Sequence, residues 1–282
     1  MQPKSDAPLV DSHAHVYTTE MPLSATAWHH PPEDATIEQF IATLDQHGVQ
    51  YAVMAAASLY DDYNEYMIES TVKYKHRLRT TAIVKPTIDP YIMRMMRDDG
   101  VVGVRLQWRN VKNLPDITTA EYRKFFRRVR DLDWHVHINQ SGDLLEAPLA
   151  ALEATGVKIV VDHFGHPQRG KGAECVGQQT IMRSVEKGRT WVKLSAAYRL
   201  ESLGIAEACA RELVKNCGPE RLLWGSDWPF AAFEDKVTYA DCIAAFERCV
   251  PDENARRIIG GETALKLYFT SLLSGDFGVS AT

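Results

Sequence analysis

Residues 222–229 read Leu-Leu-Trp-Gly-Ser-Asp-Trp-Pro, an apolar run that ends on the carboxylate of Asp227. An apolar run without polar alternation predicts a strand buried on both faces, as parallel strands are when helices cover them. Gly225 allows another backbone to approach closely, and Pro229 ends the strand. The segment therefore predicts a core strand that presents a carboxylate at its carboxyl end.

Two earlier segments have the same organisation. Residues 11–15 read Asp-Ser-His-Ala-His after an apolar pair, and residues 162–167 read Asp-His-Phe-Gly-His-Pro after the run 158–161. Imidazoles and carboxylates at the ends of several strands can hold a metal ion, or polarise a carbonyl group and activate water. We expect the three segments to form one hydrolytic site.

Eight apolar runs predict eight strands, with helical patterns between them. The strands are expected near residues 9–16, 49–58, 78–84, 101–108, 134–139, 157–163, 191–196 and 222–227. Eight βα units in 282 residues favour an α/β fold of the (β/α)8 TIM-barrel type, with its site at the carboxyl ends of the strands. A doubly wound open sheet is the alternative, but it would normally place its site at one switch point.

The first helix has the clearest limits. Thr36 and Gln39 form a capping box, apolar residues at 37, 40, 41 and 44 share one face, and Gly48 suits the carboxyl end. Further helices are expected near 61–75, 90–98, 118–132, 144–155, 178–187, 205–217 and 237–249, with C-terminal helices over 252–272. We interpret residues 1–282 as a single domain in which the loop 17–35 acts as a lid.

Composition limits the partners of the chain. The net charge is −5 and the basic residues are dispersed, so nucleic acid is not an expected partner. No run is long enough to cross a bilayer and the first eight residues lack a secretory signal, so we expect a cytoplasmic protein without a membrane partner. The five cysteines form no C-x-x-C pair, which argues against structural zinc or disulfides.

Four side chains are the candidate catalytic groups. His13 and His15 are two apart in a strand, so both rings face the same side. His163 ends the sixth strand, where a purely structural role in the loop is the alternative. Asp227 could deprotonate water if the histidines converge on it. Its alternative role, capping a helix, is less favoured because Pro229 follows before any helical pattern.

Together these motifs resemble the amidohydrolase superfamily. The H-x-H on the first strand, D-H-x-G-x-P on the sixth and W-G-x-D-W-P on the eighth are most similar to its lactonase branch, which includes pyrone-dicarboxylate, sulfomuconolactone and sugar-lactone hydrolases. The resemblance implies a (β/α)8 barrel in which Asp227 activates water. It also implies that His13, His15 and His163 polarise the lactone carbonyl, where charge develops in the transition state.

The fifth strand bears on whether a metal is needed. Metal-dependent members of the superfamily carry a histidine at its end, and here the aligned position is Asn139, a poor zinc ligand. We therefore expect a metal-independent enzyme without a cofactor. The alternative is one zinc ion at His13, His15, His163 and Asp227, which would occupy the proposed base. His135 and His137 either pack inside the barrel or act directly, and the sequence does not decide between these roles.

Two arginines are the main candidates for binding a substrate carboxylate. Arg105 lies in an apolar strand and needs an anionic partner, and Arg199 follows the seventh strand. In the pyrone lactonases that the chain resembles, arginines at these places bind carboxylates. The alternative is an internal salt bridge, for example between Arg199 and Glu201. Arg109 and Arg169 are weaker candidates.

The remaining candidate substrate contacts are Asn139, His166, Trp28 and Tyr60. His166 stands where the pyrone enzymes tend to carry arginine, so the pattern departs from theirs at this position. Trp28, in the loop 17–35, and Tyr60 could equally pack against the rim of the barrel.

Three functions follow from these residues. The first is a hydrolase that opens a small anionic lactone, of the pyrone-dicarboxylate, muconolactone or sugar-acid type, in aromatic or sugar-acid catabolism. The second is a zinc-dependent non-oxidative decarboxylase of the same superfamily, and the third is a non-catalytic carboxylate-binding barrel. A homo-oligomer is compatible with all three functions.

Overall fold

The computed structural model describes residues 7–109 and 111–270 of the chain. Its eight strands are all parallel and hydrogen-bond in the order of the sequence. They are β1 Val10–Ala14, β2 Tyr51–Ala55, β3 Leu78–Ala82, β4 Val101–Gln107, β5 His135–Asn139, β6 Lys158–Val161, β7 Thr190–Ser195 and β8 Leu222–Gly225. The predicted strands and the predicted (β/α)8 barrel are confirmed, with most strands shorter than the apolar runs.

Backbone hydrogen bonds just past the end of β8 close the barrel. The N–H of Asp227 donates to the carbonyl of His13 at 2.7 Å, and the N–H of His15 donates to the carbonyl of Trp228, also at 2.7 Å. Gly225 makes the approach possible, because a Cβ at this position would lie 2.6 Å from the Cβ of His13. The same contacts that close the barrel therefore bring the first and last motifs together.

Ten α-helices cover the described part of the barrel, generally following the strands. They are α1 Ile37–His47, α2 Glu65–Lys73, α3 Pro90–Asp98, α4 Ala120–Asp131, α5 Glu146–Thr155, α6 Val176–Glu186, α7 Leu203–Cys217, α8 Tyr239–Cys249, α9 Glu253–Arg257 and α10 Thr263–Tyr268. The capping box of α1 forms as predicted, and Gly48 ends the helix in the left-handed conformation. Within residues 7–109 and 111–270, no helix has the length and apolar character that crossing a membrane requires.

Some helix limits differ from the predictions for local reasons. The helix predicted over 61–75 begins only at Glu65, because the side chain of Asn64 instead bonds to both the N–H and the carbonyl of Ile83. The C-terminal helices predicted over 252–272 are interrupted by a π-helical turn, Ile258–Glu262. Gly260 and Gly261 pack there against Pro8 and Leu9 at the start of β1. Positions 271 and 272 lie outside the described residues.

The loop 17–35 is held at its base and at its tip. Tyr17 and Ala35 exchange two backbone hydrogen bonds of 2.9 Å. Farther along, Nε2 of His29 lies 2.6 Å from Oε1 of Glu234, in the loop after β8. The loop is therefore fixed to the strand-end side of the barrel, and its role as a lid stays a prediction.

Polar side chains inside the barrel lie above an apolar layer. Val10, Val53, Val160 and Leu223 pack with residues of α10. The ring of Tyr268, from α10, contacts the rings of His135 and His137 at centroid distances of 5.1 and 5.8 Å. Nδ1 of His135 donates to the carbonyl of Val102 at 2.8 Å, whereas Nε2 has no partner among the described residues. His135 is therefore a packed interior imidazole.

Replacing His135 by Phe should flatten the pH dependence of stability between pH 7 and pH 5. Burial lowers the pKa of His135 to about 4, whereas an unfolded histidine has a pKa near 6.5. On acidification the unfolded state takes up a proton here and the folded state does not, so this group lowers the free energy of unfolding by about 2 kcal/mol. Urea unfolding at the two pH values measures the difference. The exposed-site control His76→Phe should behave as wild type, and equal pH dependence in His135→Phe and wild type would contradict the assignment.

An alanine at Gly225 should destabilise the barrel at its closure. The added Cβ would lie 2.6 Å from the Cβ of His13 and 2.8 Å from its backbone nitrogen, and backbone cannot yield as a flexible side chain can. Overpacking of this kind costs about 1–3 kcal/mol. The control is Gly204→Ala in α7, where the added Cβ meets only Oγ of Ser202 at 3.7 Å. We expect urea unfolding to show the loss for Gly225→Ala alone.

Candidate active site

A cavity of about 350 Å³ opens at the carboxyl ends of the strands. Trp28 from the loop 17–35 lines one side of it, and Phe233 from the loop after β8 lines another. Its charged and titratable lining includes His15, Arg105, Arg109, His163, Arg199 and Asp227. The structure thus brings the three motif segments into one site, as the sequence predicts.

Asp227 is the centre of the site. Its Oδ1 lies 3.2 Å from Nε2 of His15, 3.6 Å from Nε2 of His13 and 3.8 Å from Nε2 of His163. Its Oδ2 accepts hydrogen bonds from the hydroxyl of Tyr198 at 2.7 Å and from Nε of Arg199 at 2.6 Å. One carboxylate oxygen therefore faces imidazoles and the other is held by fixed donors.

The backbone at the strand ends directs these side chains. His163 has φ = 52° and Asp227 has φ = 66°, both in the left-handed region that non-glycine residues seldom adopt. Ala196, after β7, has φ = 54° and precedes Tyr198 and Arg199. Such conformations persist only where surrounding contacts hold them, and they concentrate at functional sites. Here these conformations turn the backbone sharply where it leaves β6, β7 and β8.

Each imidazole that faces Asp227 is also held through its other nitrogen. Nδ1 of His15 donates to the carbonyl of Ala55 at 2.6 Å. Nδ1 of His163 lies 2.9 Å from Oγ of Ser195. These second contacts fix the ring planes, so Nε2 of both histidines points at the same carboxylate oxygen.

A second buried carboxylate, Asp162, lies beneath the cavity. Its Oδ2 accepts from Nε of Arg105 at 3.0 Å, and its Oδ1 lies 3.2 Å from Nζ of Lys193. Nδ1 of His13 is 3.4 Å from the same Oδ1. Burial alone would raise the pKa of Asp162, but Lys193, His13 and Arg105 outweigh that effect and hold the pKa well below its usual value. The group of side chains around Asp162 therefore contains an ionised carboxylate near neutral pH.

The histidines and Asp227 have opposite protonation preferences. Burial would raise the pKa of Asp227, yet Arg199 and the neighbouring histidines hold it well below its ordinary range. Burial lowers the pKa of His163 to about 4. Burial and the charge of Lys193 hold the pKa of His13 well below its usual value. Near neutral pH, Asp227 is therefore ionised while His13 and His163 are neutral.

Three of the residues have the spacing of a metal site. Ligand atoms of His13, His163 and Asp227 lie within 4.8 Å of one another. A metal-ligating histidine usually donates its other N–H to a carboxylate, a carbonyl or water. In His13 the closest group to that nitrogen is instead Nζ of Lys193, at 2.9 Å. The three residues therefore have the spacing of a metal site, while Nδ1 of His13 has both a cation at 2.9 Å and the carboxylate Oδ1 of Asp162 at 3.4 Å beside it.

The predicted carboxylate-binding arginines line the cavity but already have internal partners. Arg105 donates to Asp162 and to the carbonyl of Ala56. Arg199 pairs with Asp227 and donates to the carbonyl of Ala231. The Arg199–Glu201 salt bridge considered from the sequence does not form. Arg199 bonds to Asp227 because both residues leave neighbouring strands at the same edge of the barrel.

The two weaker arginine candidates differ in their position relative to the cavity. Arg109 lines the cavity and has no hydrogen bond or ion pair within the described part of the chain. Arg169 is exposed and does not line the cavity formed by the described residues. The buried Oε1 of Gln107, in the same lining, has no partner among the described residues either. Arg109 and Gln107 therefore offer unsatisfied polar groups to a ligand.

The other predicted contacts also differ in position. Nε2 of His166 donates to Oδ1 of Asn139 at 2.7 Å, and both residues line the cavity. Trp28 lines it while donating to Oγ of Ser58. Tyr60 is buried against Tyr17 beneath the loop 17–35 and is not part of the described lining.

Sequence reasoning missed Lys193 and Tyr198. Both touch the predicted catalytic groups, Lys193 through His13 and Tyr198 through Asp227. The signal for Lys193 was a charged residue within the mostly apolar segment Trp191–Ser195. The Tyr-Arg pair at 198 and 199 follows the same strand. His137, which the sequence left open, lies below the cavity with Nδ1 3.1 Å from Nζ of Lys193.

Comparison with known proteins supports the resemblance seen in the motifs. The chain is 30% identical over 250 residues to a 2-pyrone-4,6-dicarboxylate hydrolase of Comamonas testosteroni, covering 83% of this chain and 81% of the relative. It is 24% identical over 268 residues to a 4-sulfomuconolactone hydrolase of Rhizobium radiobacter, covering 92% and 89% of the two chains.

A solved structure from Acinetobacter baumannii, described as a probable 2-pyrone-4,6-dicarboxylic acid hydrolase with citric acid bound, superposes with a TM-score of 0.88. It is 30% identical to this chain, and the match covers 93% of this chain and 99% of the solved one. The family model described as Amidohydrolase matches residues 10–270. The chain therefore belongs to the amidohydrolase family.

Proposed function

We propose that this protein is a hydrolase that opens a small lactone bearing carboxylate groups. The observation that carries the proposal is Asp227, whose Oδ1 faces three imidazoles in a cavity lined by arginines. Two relatives are named as hydrolases of a pyrone dicarboxylate and of a sulfomuconolactone, and the similar solved structure holds citric acid, a tricarboxylic acid. The reaction class is carboxylic ester hydrolysis in a ring.

Asp227 acts as the base in this proposal. A water molecule at Oδ1 gives a proton to the carboxylate while its oxygen adds to the lactone carbonyl carbon. The carbonyl oxygen becomes an oxyanion, which N–H donors of His13 and His163 stabilise beside His15, whose Nδ1 donates to Ala55. Collapse re-forms the carbonyl and breaks the bond to the ring oxygen, which takes the proton from Asp227. Water is thereby added across the ring C–O bond without a covalent enzyme intermediate.

The low pKa of Asp227 determines how much the base and the histidine donors each contribute to lowering the reaction barrier. A strongly held carboxylate is always ionised but is a weak base, because Arg199 and Tyr198 already share its charge. A weak base suffices only if the carbonyl is strongly polarised. The proposal therefore assigns most of the barrier lowering to the histidine donors, whose preorganised positions cost little to maintain during the reaction.

The charge balance of the site favours an anionic substrate. The cations in and beneath the cavity are Arg105, Arg109, Arg199 and Lys193, and the carboxylates are Asp162 and Asp227. These four cations exceed the two carboxylates by two charges, although the whole chain carries −5. A dicarboxylate substrate would neutralise this excess, and Arg109 is the guanidinium without an internal partner.

We propose that hydrolysis proceeds without a metal ion. His13 would supply one ligand of the three-residue cluster, but the group nearest its Nδ1 is Nζ of Lys193 at 2.9 Å, closer than the carboxylate Oδ1 of Asp162 at 3.4 Å. Asn139 at the end of β5 is engaged with His166. These contacts disfavour the zinc-dependent decarboxylase, and the non-catalytic barrel is disfavoured by the position of Asp227, whose Oδ1 faces the histidines in the cavity. The single domain over 1–282, cytoplasmic location, self-association and lack of nucleic-acid or membrane partners stay predictions.

A lactone panel tests the function and the cofactor together. Hydrolysis of pyrone dicarboxylate, muconolactone and sugar-acid lactones is followed on enzyme whose metal content is measured before and after chelator treatment. We expect turnover of at least one anionic lactone that does not depend on metal content. Asp227→Asn should lose at least about 10²-fold in kcat, the lower end for removing a general base.

The same panel can refute the proposal in two ways. Activity lost with chelator and restored by zinc would overturn metal-independent hydrolysis. An Asp227→Asn enzyme with near-wild-type turnover and an unchanged melting temperature would overturn the role of Asp227.

Arg109→Gln should weaken substrate binding more than turnover. Arg109 lies in the cavity without an internal anion, so its charge is available to a substrate carboxylate. Loss of a charge-assisted hydrogen bond, worth about 1.5–3 kcal/mol, predicts a rise in KM of roughly 10- to 100-fold with kcat little changed. The matched control is Arg169→Gln, which removes an exposed arginine outside the cavity. If both variants change KM equally, the change arises from long-range charge and not from a contact between Arg109 and the substrate, which would contradict the prediction.

A further inference from the structure

Lys193 is a charged residue sealed inside the barrel. It lies on β7 and its side chain is fully buried. Its Nζ is 2.9 Å from Nδ1 of His13, 3.1 Å from Nδ1 of His137 and 3.2 Å from Oδ1 of Asp162. An ammonium group has three hydrogens and no acceptor, so Lys193 can donate to both imidazole nitrogens, while Asp162 is its ion-pair partner.

His13 has two alternative hydrogen-bonding arrangements. With its proton on Nε2, the ring accepts from Lys193 at Nδ1 and directs N–H toward Oδ1 of Asp227, 3.6 Å away. With its proton on Nδ1, it directs N–H toward Oδ1 of Asp162 at 3.4 Å and accepts at Nε2 from Nη2 of Arg105 at 3.5 Å. Neighbours of both kinds flank both nitrogens, so the relative strength of these four contacts decides the tautomer.

The contact with Lys193 decides between the two arrangements. At 2.9 Å it is the shortest of the four polar contacts of the ring. A proton on Nδ1 would place two N–H groups against each other at that distance, in a site that water does not reach. A proton on Nε2 turns the same contact into a hydrogen bond. Burial makes the difference large, because an unmade hydrogen bond is not replaced by solvent.

We infer that Lys193 is a positioning residue that keeps the ring proton of His13 on Nε2, so that His13 presents a donor and not a lone pair to the active site. The catalytic part of this inference rests on the proposed function, because a donor at this place would stabilise the oxyanion of lactone hydrolysis. The tautomer itself does not depend on that function.

Loss of Lys193 should reverse the role of His13. Asp162 would then be the nearest partner of Nδ1 and would accept a hydrogen bond from a protonated Nδ1, as carboxylates do for metal-ligating histidines. The lone pair of Nε2 would face the cavity together with His163 and Asp227, the residues that already have metal-ligand spacing. Lys193 therefore withholds a metal ligand while it supplies a hydrogen-bond donor.

The test compares wild type with Lys193→Met on full-length protein at pH 7. The ¹⁵N chemical shifts of the labelled imidazoles distinguish a protonated from an unprotonated ring nitrogen, and His13→Asn identifies the signals of His13. We expect wild-type His13 to carry its proton on Nε2 and the variant to carry it on Nδ1. We also expect zinc, titrated as the free ion, to bind the variant at least tenfold more tightly, and kcat on the panel lactone to fall at least tenfold with KM little changed.

Two control variants separate position from packing. His137→Leu removes the other imidazole neighbour of Lys193 and should leave the tautomer of His13 as in wild type. Lys158→Met, on β6, removes a lysine paired with Asp133 near the surface and should change neither tautomer nor zinc binding. If Lys193→Met does not fold, Lys193→Met with Asp162→Asn removes the unpaired buried charge and keeps an oxygen that accepts from Nδ1.

The outcomes are distinguishable. A wild-type His13 with its proton on Nδ1, or identical His13 signals and zinc affinity in wild type and Lys193→Met, would overturn the inference. If no lactone is hydrolysed, the proposed function fails while the tautomer and zinc measurements still decide the role of Lys193. A switched tautomer with unchanged kcat would refute the donor role of His13 in hydrolysis and support the assignment of Lys193.

Discussion

The hydrogen bond from the N–H of Asp227 to the carbonyl of His13 is the contact on which both fold and site depend. It joins the chain beyond β8 to β1 and so completes a barrel whose other strand pairs follow sequence order. The two residues that form it through their backbones also face each other through their side chains. The distance between the candidate base and a candidate donor is therefore fixed by barrel closure, not by a mobile loop.

This coupling explains why local strain is tolerated at the strand ends. Asp227 and His163 both have positive φ, a conformation that costs free energy for residues with a Cβ. The backbone bonds of closure and the side-chain bonds to Asp227 hold these conformations together. The strain is concentrated where parallel strands release their chains toward one cavity, which is where functional residues of such barrels lie.

Much of the fold was predictable because parallel strands that are buried on both faces appear in the sequence as continuous apolar runs. The apolar runs around Val53 and Val160 are long enough to separate strand from loop, and the cap at Thr36 has a defined chemistry. The exact strand ends were less predictable, since the apolar run continues into the strand-end loops that pack on the core. The late start of α2 depends on Asn64 bonding to Ile83, a long-range contact that local sequence does not contain.

The positions of the candidate catalytic residues, the histidines and Asp227, were predictable from three motifs, but their partners were not. Sequence position identified Arg105 as a buried cation in need of an anion, yet could not decide between a substrate and Asp162. Lys193 was missed because a lysine in a strand is usually at an edge, and only the closed barrel shows that it points inward. The pairing of Arg199 with Asp227 required the relative position of the loops after β7 and β8.

Three buried charged side chains, Asp162, Arg105 and Lys193, form a charged cluster beneath the cavity. Filling the interior of a barrel with such groups is costly in free energy. Removing Asp162, Arg105 and Lys193 from water carries a desolvation cost that their mutual attraction offsets only in part, and apolar side chains of similar volume are often at least as stable. Stability therefore does not explain the cluster. Its geometry does, because every member contacts His13 directly: Lys193 and Asp162 at Nδ1, and Arg105 at Nε2. A single neutral imidazole surrounded by three fixed charges has its proton placed by the protein, which is what a preorganised hydrogen-bond donor requires.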